Sequence, residues 1–159
     1  MRLAFLLGSL SLLCACGGGG SASAPATPAP PAATCPIPVA KTNPSWKSDL
    51  YPALQSSCGS AAISCHQGPS PMGHVVYSGT SDQVYTQLVG VVPANAPTGQ
   101  GWLRVAAGDT VHSWILEKVT KDQPGGTGYG ARMPYAAPNL CQPTVDTLSA
   151  WISAGAHNN

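Results

Sequence analysis

Long segments rich in glycine and proline interrupt this chain and leave room only for short regular elements. The 159 residues include 18 glycines and 16 prolines, and three such segments cover residues 67–79, 92–101 and 124–143. These residue types punctuate regular structure, so the segments are predicted to be loops. Loops this long normally need a function, a disulfide or a bound group to hold them. We therefore expect a small core that is cross-linked or built around a ligand.

Four short helices are predicted between the loops, which makes the fold class all-α. In each, apolar residues recur at helical spacing after a capping residue. The first starts at Ser48-Asp49, carries Pro52 in its first turn and leads to Cys58. The second starts at Ser81-Asp82 and ends at Gly90. The other two complete the set: one runs from Asp109-Thr110 through Val111 and Trp114 to Val119, and one runs from Thr144 to Gly155.

The N-terminus predicts export. Residues 3–13 form an apolar run after Arg2, too short to span a bilayer, which is typical of a signal peptide over residues 1–15. The sequence Leu13-Cys14-Ala15-Cys16 resembles a bacterial lipobox, which implies cleavage before Cys16 and lipid on that cysteine. Gly17 rather than Asp follows it, which favours an outer-membrane lipoprotein facing the periplasm. The alternative is a plain signal peptide with Cys16 unmodified.

Composition divides the rest of the chain into a tether and a domain. Residues 17–34 are Gly, Ser, Ala, Thr and Pro only, which cannot bury enough apolar surface to fold, so residues 16–34 are predicted to be a flexible lipidated tether. Residues 35–159 have the length of one ordinary domain. With seven basic and six acidic residues and no basic stripe, the chain is not expected to bind nucleic acid. No paired carboxylates or nucleophile motif occur, so no enzymatic activity is expected.

Two cysteines followed directly by a histidine, Cys58, Cys65 and His66, point to a cofactor. In c-type haem attachment the thiols form thioethers with the porphyrin and the histidine binds the iron. The usual motif has two residues between the cysteines, whereas six lie between Cys58 and Cys65. The alternative is a disulfide that closes a small loop, in which case His66 is a surface or capping residue.

The order of motifs after this site resembles that of the cytochrome-c-like domains of bacterial exported proteins and lipoproteins. The matching segments are residues 105–109 leading into 113–119, then Arg132-Met133-Pro134, and finally residues 148–156 with Trp151-Ile152. The resemblance implies that His66 and Met133 are the axial iron ligands of one haem c and that Cys58 and Cys65 hold it covalently. It also implies that Trp151 packs near the haem edge or against the first helix.

The remaining mature cysteines, Cys35 and Cys141, are the natural disulfide pair in an oxidising compartment. Such a bond would join the start of the domain to the loop before the last helix. Pairings of Cys35 with Cys58 or Cys65 stay open, because connectivity does not follow from sequence.

Three hypotheses for function follow from these patterns. The first is a monomeric, lipid-anchored, cytochrome-c-like carrier of single electrons that meets a redox protein partner, with His74 as the reserve iron ligand. The second is a haem-less module of the same fold, held by two disulfides, Cys35–Cys141 and Cys58–Cys65, with a structural or interaction role. The third and weakest is a Cu(I) site of cysteine, histidine and methionine.

Overall fold

The computed structural model describes residues 35–59, 64–67, 71–135 and 137–159, which belong to one compact unit. The predicted signal peptide, Cys16 and the tether lie outside the described residues. Within the described part there are four α-helices, a few single helical turns and, apart from three isolated bridges, no β-structure. The predicted all-α class is therefore confirmed. None of the described helices has the length and apolar character that crossing a membrane requires.

The first helix begins with one π-helical turn, Trp46–Leu50, and continues as α1, Tyr51–Cys58. Its cap is Ser45, whose hydroxyl accepts a hydrogen bond from the backbone N–H of Ser48 at 3.3 Å. The helix thus starts about one turn before the predicted position. A proline stands in the first turn of α1, where its missing N–H is harmless. As predicted, the helix ends at Cys58.

The second helix, α2, spans Ser81–Leu88 and confirms the predicted start. The hydroxyl of Thr80 accepts from the N–H of Gln83 at 3.3 Å, and the Gln83 side chain accepts from the N–H of Thr80 at 2.8 Å. This reciprocal capping box satisfies two N–H groups that a helix leaves unpaired. Gly90, with a φ of 74°, follows the end of the helix and turns the chain away.

The third helix, α3, spans Trp114–Thr120, so the predicted start at Asp109 is wrong. The Asp109 carboxylate accepts hydrogen bonds from the N–H groups of Val111 and His112 at 2.9 and 3.1 Å. It thereby closes a turn of its own, because a short acidic side chain competes for the N–H groups that a helix would use. Val111, expected on the apolar face, is 71% exposed.

The fourth helix, α4, spans Gln142–Ser153 and begins before Thr144, the predicted cap. Thr144 is instead buried inside the first turn, where its hydroxyl accepts from the N–H of Ile37 at 3.3 Å. One turn further on, the hydroxyl of Thr147 accepts from the N–H of Lys41 at 3.0 Å. The start of the domain is thereby fastened along α4. Gly155, with a φ of 100°, follows the helix as predicted.

A disulfide joins Cys35 to Cys141, with 5.7 Å between their Cα atoms. This confirms the predicted pair and shows that the alternative pairings of Cys35 are wrong. The bond spans 106 positions of the sequence, so it connects the first described residue to the residue that precedes α4.

Aromatic stacking between the first and last helices forms the centre of the core. The rings of Trp46 and Trp151 stack at 5.1 Å with 23° between their planes. Tyr85 from α2 meets both rings edge-on, at 6.0 and 6.3 Å. Of the two positions expected for Trp151, the structure has the one against the first helix. Leu50 and Leu148 are fully buried in the same core cluster.

Candidate functional site

A cavity of about 280 Å³ brings together residues from α1, the end of α2, α3 and three loops. Three of the predicted ligand residues, Cys58, His66 and Met133, line it. Its volume lies just below the range for ligand pockets, about 300–1,000 Å³. Its apolar walls come mainly from the helices and are formed by Leu54, Leu88, Trp114, Ile115 and Val119.

Cys58 reaches the cavity because it is the last residue of α1, and the chain must turn sharply after it. A Cβ atom at the next residue, Gly59, would lie 2.5 Å from the Cβ atom of Tyr77. Glycine therefore permits the close approach of these two segments. Burial, together with the neighbouring Cys65, raises the pKa of the Cys58 thiol to about 12. The thiol is thus uncharged at neutral pH and is a poor nucleophile unless a partner activates it.

His66 is the last residue of a short helical turn, Ser64–His66, that the backbone of the next segment holds in place. Its carbonyl accepts from the N–H of Tyr77 at 3.0 Å, and the Tyr77 ring meets the imidazole edge-on at 5.4 Å. The imidazole Nδ1 lies 3.3 Å from the carbonyl oxygen of Val75. Since a carbonyl can only accept, this contact forms in the tautomer that carries its hydrogen on Nδ1, and in that tautomer Nε2 keeps its lone pair.

The charge state of His66 also suits a ligand. Burial lowers the pKa of its imidazole. Hydrogen bonds to the backbone of Val75 and Met72 raise the pKa, but the positive charges of Lys118 and Arg104 lower it further, and the net shift is downward. The imidazole is therefore neutral at pH 7, the form that binds metals.

Met133 lies in the long loop between α3 and α4, and α3 fixes its position. Its backbone N–H donates to the carbonyl of Lys118 at 2.6 Å, and the neighbouring Arg132 donates through Nε to the carbonyl of Val119 at 3.1 Å. The peptide bond from Met133 to Pro134 is cis. A methionine without a helix of its own is in this way presented to the cavity by the end of α3.

Two predicted residues are placed differently. Cys65 is half-buried and is not among the residues that line the cavity. Neither it nor Cys58 takes part in a disulfide, so the alternative Cys58–Cys65 bond is not formed. The reserve ligand His74 is exposed and is not among the residues that line the cavity, although the adjacent Gly73 is.

The sequence did not single out six polar or aromatic residues that line the cavity, namely Tyr77, Asn95, Arg104, Trp114, Lys118 and Tyr135. One signal for Lys118 was present, because it follows Trp114 and Ile115 at helical spacing and so shares their apolar face. A lysine on the buried face of a short helix is unusual and would have marked α3 as one wall of a site.

The arrangement can hold a mostly apolar ligand and offer it an imidazole nitrogen, a thioether sulfur and a thiol. Within the described residues, no three side chains of histidine, cysteine, aspartate or glutamate cluster as a metal site would require.

Comparison of the chain with protein-family models, with curated proteins and with solved structures found no match in any of the three.

Proposed function

We propose that the domain of residues 35–159 has a cytochrome-c-like fold and carries single electrons with one covalently attached haem in this cavity. One observation carries the proposal. Cys58, His66 and Met133 come from three separate segments, were selected from the sequence as haem residues, and line the same apolar cavity. A histidine and a methionine as axial ligands favour a raised reduction potential, which suits an electron carrier.

Each residue has a defined part in this proposal. His66 and Met133 would bind the iron, while Cys58 and Cys65 would form the thioether links. When bound, haem supplies an iron that takes up and releases one electron. The carbonyl of Val75 orients the His66 ring, and α3 anchors the backbone of Met133. Trp114 and Ile115 provide apolar surface that excludes water.

The proposed location follows from the N-terminal motif. Lipid on Cys16 would anchor the protein in the outer membrane, and the segment of residues 17–34 would let the domain reach a redox protein in the periplasm. Fractionation tests this part alone: the wild type is expected with membranes, and Cys16→Ser is expected in the soluble periplasmic fraction. If both forms were found in the same fraction, the lipid anchor would be rejected.

The haem-less module remains the second candidate, with one specific observation in its favour. The Cys35–Cys141 disulfide and the tryptophan stack form a core whose rings do not line the cavity. Such a domain can be stable with an open cavity, and it would have a structural or interaction role in the cell envelope. It would use one disulfide rather than the two expected from the sequence.

Production in a bacterial host with haem-attachment machinery separates the two candidates. The exported wild type is expected to show the reduced spectrum of a c-type cytochrome and an intact mass increased by one haem. His66→Ala and Met133→Ala are expected to change or abolish that spectrum. The matched control His74→Ala, at an exposed histidine that is not among the residues lining the cavity, is expected to leave it unchanged. A colourless wild type with the mass of the unmodified chain would reject the electron carrier.

A further inference from the structure

The apolar cavity carries two positive charges and no negative one. Arg104 and Lys118 both line it. Every Asp and Glu of the chain falls in the described part, and none of them lines the cavity. The described part of the chain contains four ion pairs, and neither Arg104 nor Lys118 belongs to any of them. The pairs are Lys41–Asp49, Lys47–Asp82, His112–Asp109 and Arg132–Asp122. The two cations of the cavity thus have no charged partner within the described protein.

Backbone carbonyls hold the guanidinium of Arg104 in place. Nη1 donates to the carbonyl of Gln87 at 2.8 Å and Nη2 donates to that of Gly73 at 3.0 Å. These bonds leave further N–H groups of the guanidinium free, since it presents a fork of donors. Carbonyl oxygens orient a cation but do not neutralise its charge. Burial accordingly lowers the pKa of Arg104, with the neighbouring Tyr77 acting in the opposite direction.

Backbone carbonyls also hold the side chain of Lys118, which reaches the cavity from α3. Its Nζ donates to the carbonyls of Ala131 and Tyr129 at 2.7 and 3.3 Å. The ring of Trp114 lies 6.0 Å from the same nitrogen. Burial lowers the pKa of this ammonium group. A half-buried cation without a counter-charge is costly, and an anion bound beside it would offset that cost.

We propose that Arg104 and Lys118 bind the two carboxylate groups of an amphipathic ligand whose apolar body occupies the cavity. The inference rests on the proposed function, in which that ligand is haem and the carboxylates are its propionates. Two cations match two carboxylates, and the guanidinium fork suits a carboxylate particularly well. The charges would select against neutral apolar molecules of similar size, because such molecules would leave both cations unpaired.

The test uses metal-free protoporphyrin IX and its dimethyl ester, so that iron ligation plays no part. Binding to the mature apo chain is measured by porphyrin fluorescence at low and high salt. Each charge-assisted contact is expected to contribute about tenfold in affinity, so the wild type should prefer the free acid by about a hundredfold. R104Q and K118Q should each reduce this preference about tenfold, and the double variant should abolish it. High salt should weaken it.

Three controls keep the result interpretable. K121Q removes an exposed lysine outside the cavity lining and should leave the preference unchanged. If R104Q fails to fold, R104K takes its place. It keeps the charge and should retain most of the preference for the free acid. The ratio of the wild type's affinities for the free acid and the ester tests the inference without any variant. Equal affinity of the wild type for acid and ester, or an equal loss in K121Q, would overturn the inference.

The two proposals fail in different ways. If the exported protein is colourless but still prefers the free acid through Arg104 and Lys118, the electron carrier is rejected and the carboxylate site stands. If haem is attached but acid and ester bind equally to the apo chain, the electron carrier stands and the roles assigned to the two cations are rejected.

Discussion

Two regions of this domain are held together by different kinds of contact. In the stapled region, which comprises residues 35–50 and α4, a disulfide and stacked tryptophan rings fasten the chain. In the cavity region, which comprises the residues that line the cavity and the loops around it, long basic side chains bind backbone carbonyls. Arg104 and Lys118 bind four such carbonyls, and Arg132 binds the one of Val119.

The difference shows how a chain so rich in loops can keep a cavity open. The stapled region excludes water and makes dense apolar contacts, which provide most of the stability of a small domain. The cavity region uses polar contacts that fix loops without filling the space between them. Removing contacts from the first region should therefore cost much more stability than truncating a side chain that faces the cavity.

The largest loss is expected when the disulfide is removed. Cys35→Ser together with Cys141→Ser should lower the free energy of unfolding by about 4 kcal/mol, because the bond links two residues that are 106 positions apart in the sequence. Urea unfolding followed by tryptophan fluorescence measures the change. Cys58→Ser with Cys65→Ser, which removes two unbonded thiols, is the matched control and should cost about 1 kcal/mol or less. Equal losses in the two double variants would contradict the division into two regions.

Trp151→Ala should lower the free energy of unfolding by about 3–4 kcal/mol, because it leaves a void beneath Trp46 in a fully buried stack. Met133→Ala removes a large side chain that already faces a cavity and is only half-buried. Its cost in the apo protein should be about 1 kcal/mol or less. Thermal unfolding of both variants provides the comparison, and a large loss for Met133→Ala would mean that this methionine packs as a core residue.

Ser113→Ala tests the polar contacts that precede α3. The buried hydroxyl accepts from the N–H of Ala106 at 2.9 Å and donates to the carbonyl of Asp109 at 2.7 Å. Without it, a buried N–H loses its acceptor, so we expect a loss of about 2 kcal/mol in denaturant unfolding. Ser78→Ala, at an exposed position, should be nearly neutral. If the two variants are equally stable, polar contacts do not hold this side of the cavity.

The smallest expected effect concerns the pH dependence of the stapled region. Burial by itself raises the pKa of Asp49. Hydrogen bonds from Lys41 and from the N–H of Ser45, together with the charge of Lys41, outweigh the effect of burial and hold the pKa below its usual 3.8. A carboxyl with a lower pKa in the folded state stabilises the fold above pH 3.8, and this stabilisation disappears as the pH falls through the folded-state value.

Asp49→Asn should therefore cost about 1 kcal/mol at pH 7 and almost nothing at pH 2, measured by urea unfolding at each pH. Asp122→Asn, at a carboxyl that is 92% exposed, should change stability little at either pH. A cost for Asp49→Asn that does not vary with pH would show that the charge of this carboxyl contributes nothing.

Local signals predicted more of the fold than of the site. The start of α2, the end of α1 at Cys58 and the glycine after α4 were correct, because each depends on a few neighbouring residues. The start of α3 was wrong, since the Asp109 side chain formed a competing turn. The cap assigned to Thr144 was wrong because a distant segment, at Ile37, uses its hydroxyl.

In the site, too, local signals identified individual residues but not the contacts between distant segments. Cys58, His66 and Met133 were selected as chemistry-bearing residues, but nothing local showed that they would line one cavity or that Cys65 would lie outside its lining. Arg104 was not selected, because its role depends on carbonyls at the end of α2 and in the loop at Gly73. Those partners are far from it in sequence.

The sequence by itself determined the all-α class and the helix ends that Gly90 and Gly155 mark, and it made Cys35–Cys141 the natural cysteine pair while leaving other pairings open. Capping, backbone restriction and the small number of cysteines are properties of short segments or of composition, so they can be recognised without a fold. Only the tertiary structure decided that Trp151 stacks on the first helix and that the cavity joins a neutral histidine, a methionine and two cations. Those features depend on packing between distant segments, which the local pattern of residues does not specify.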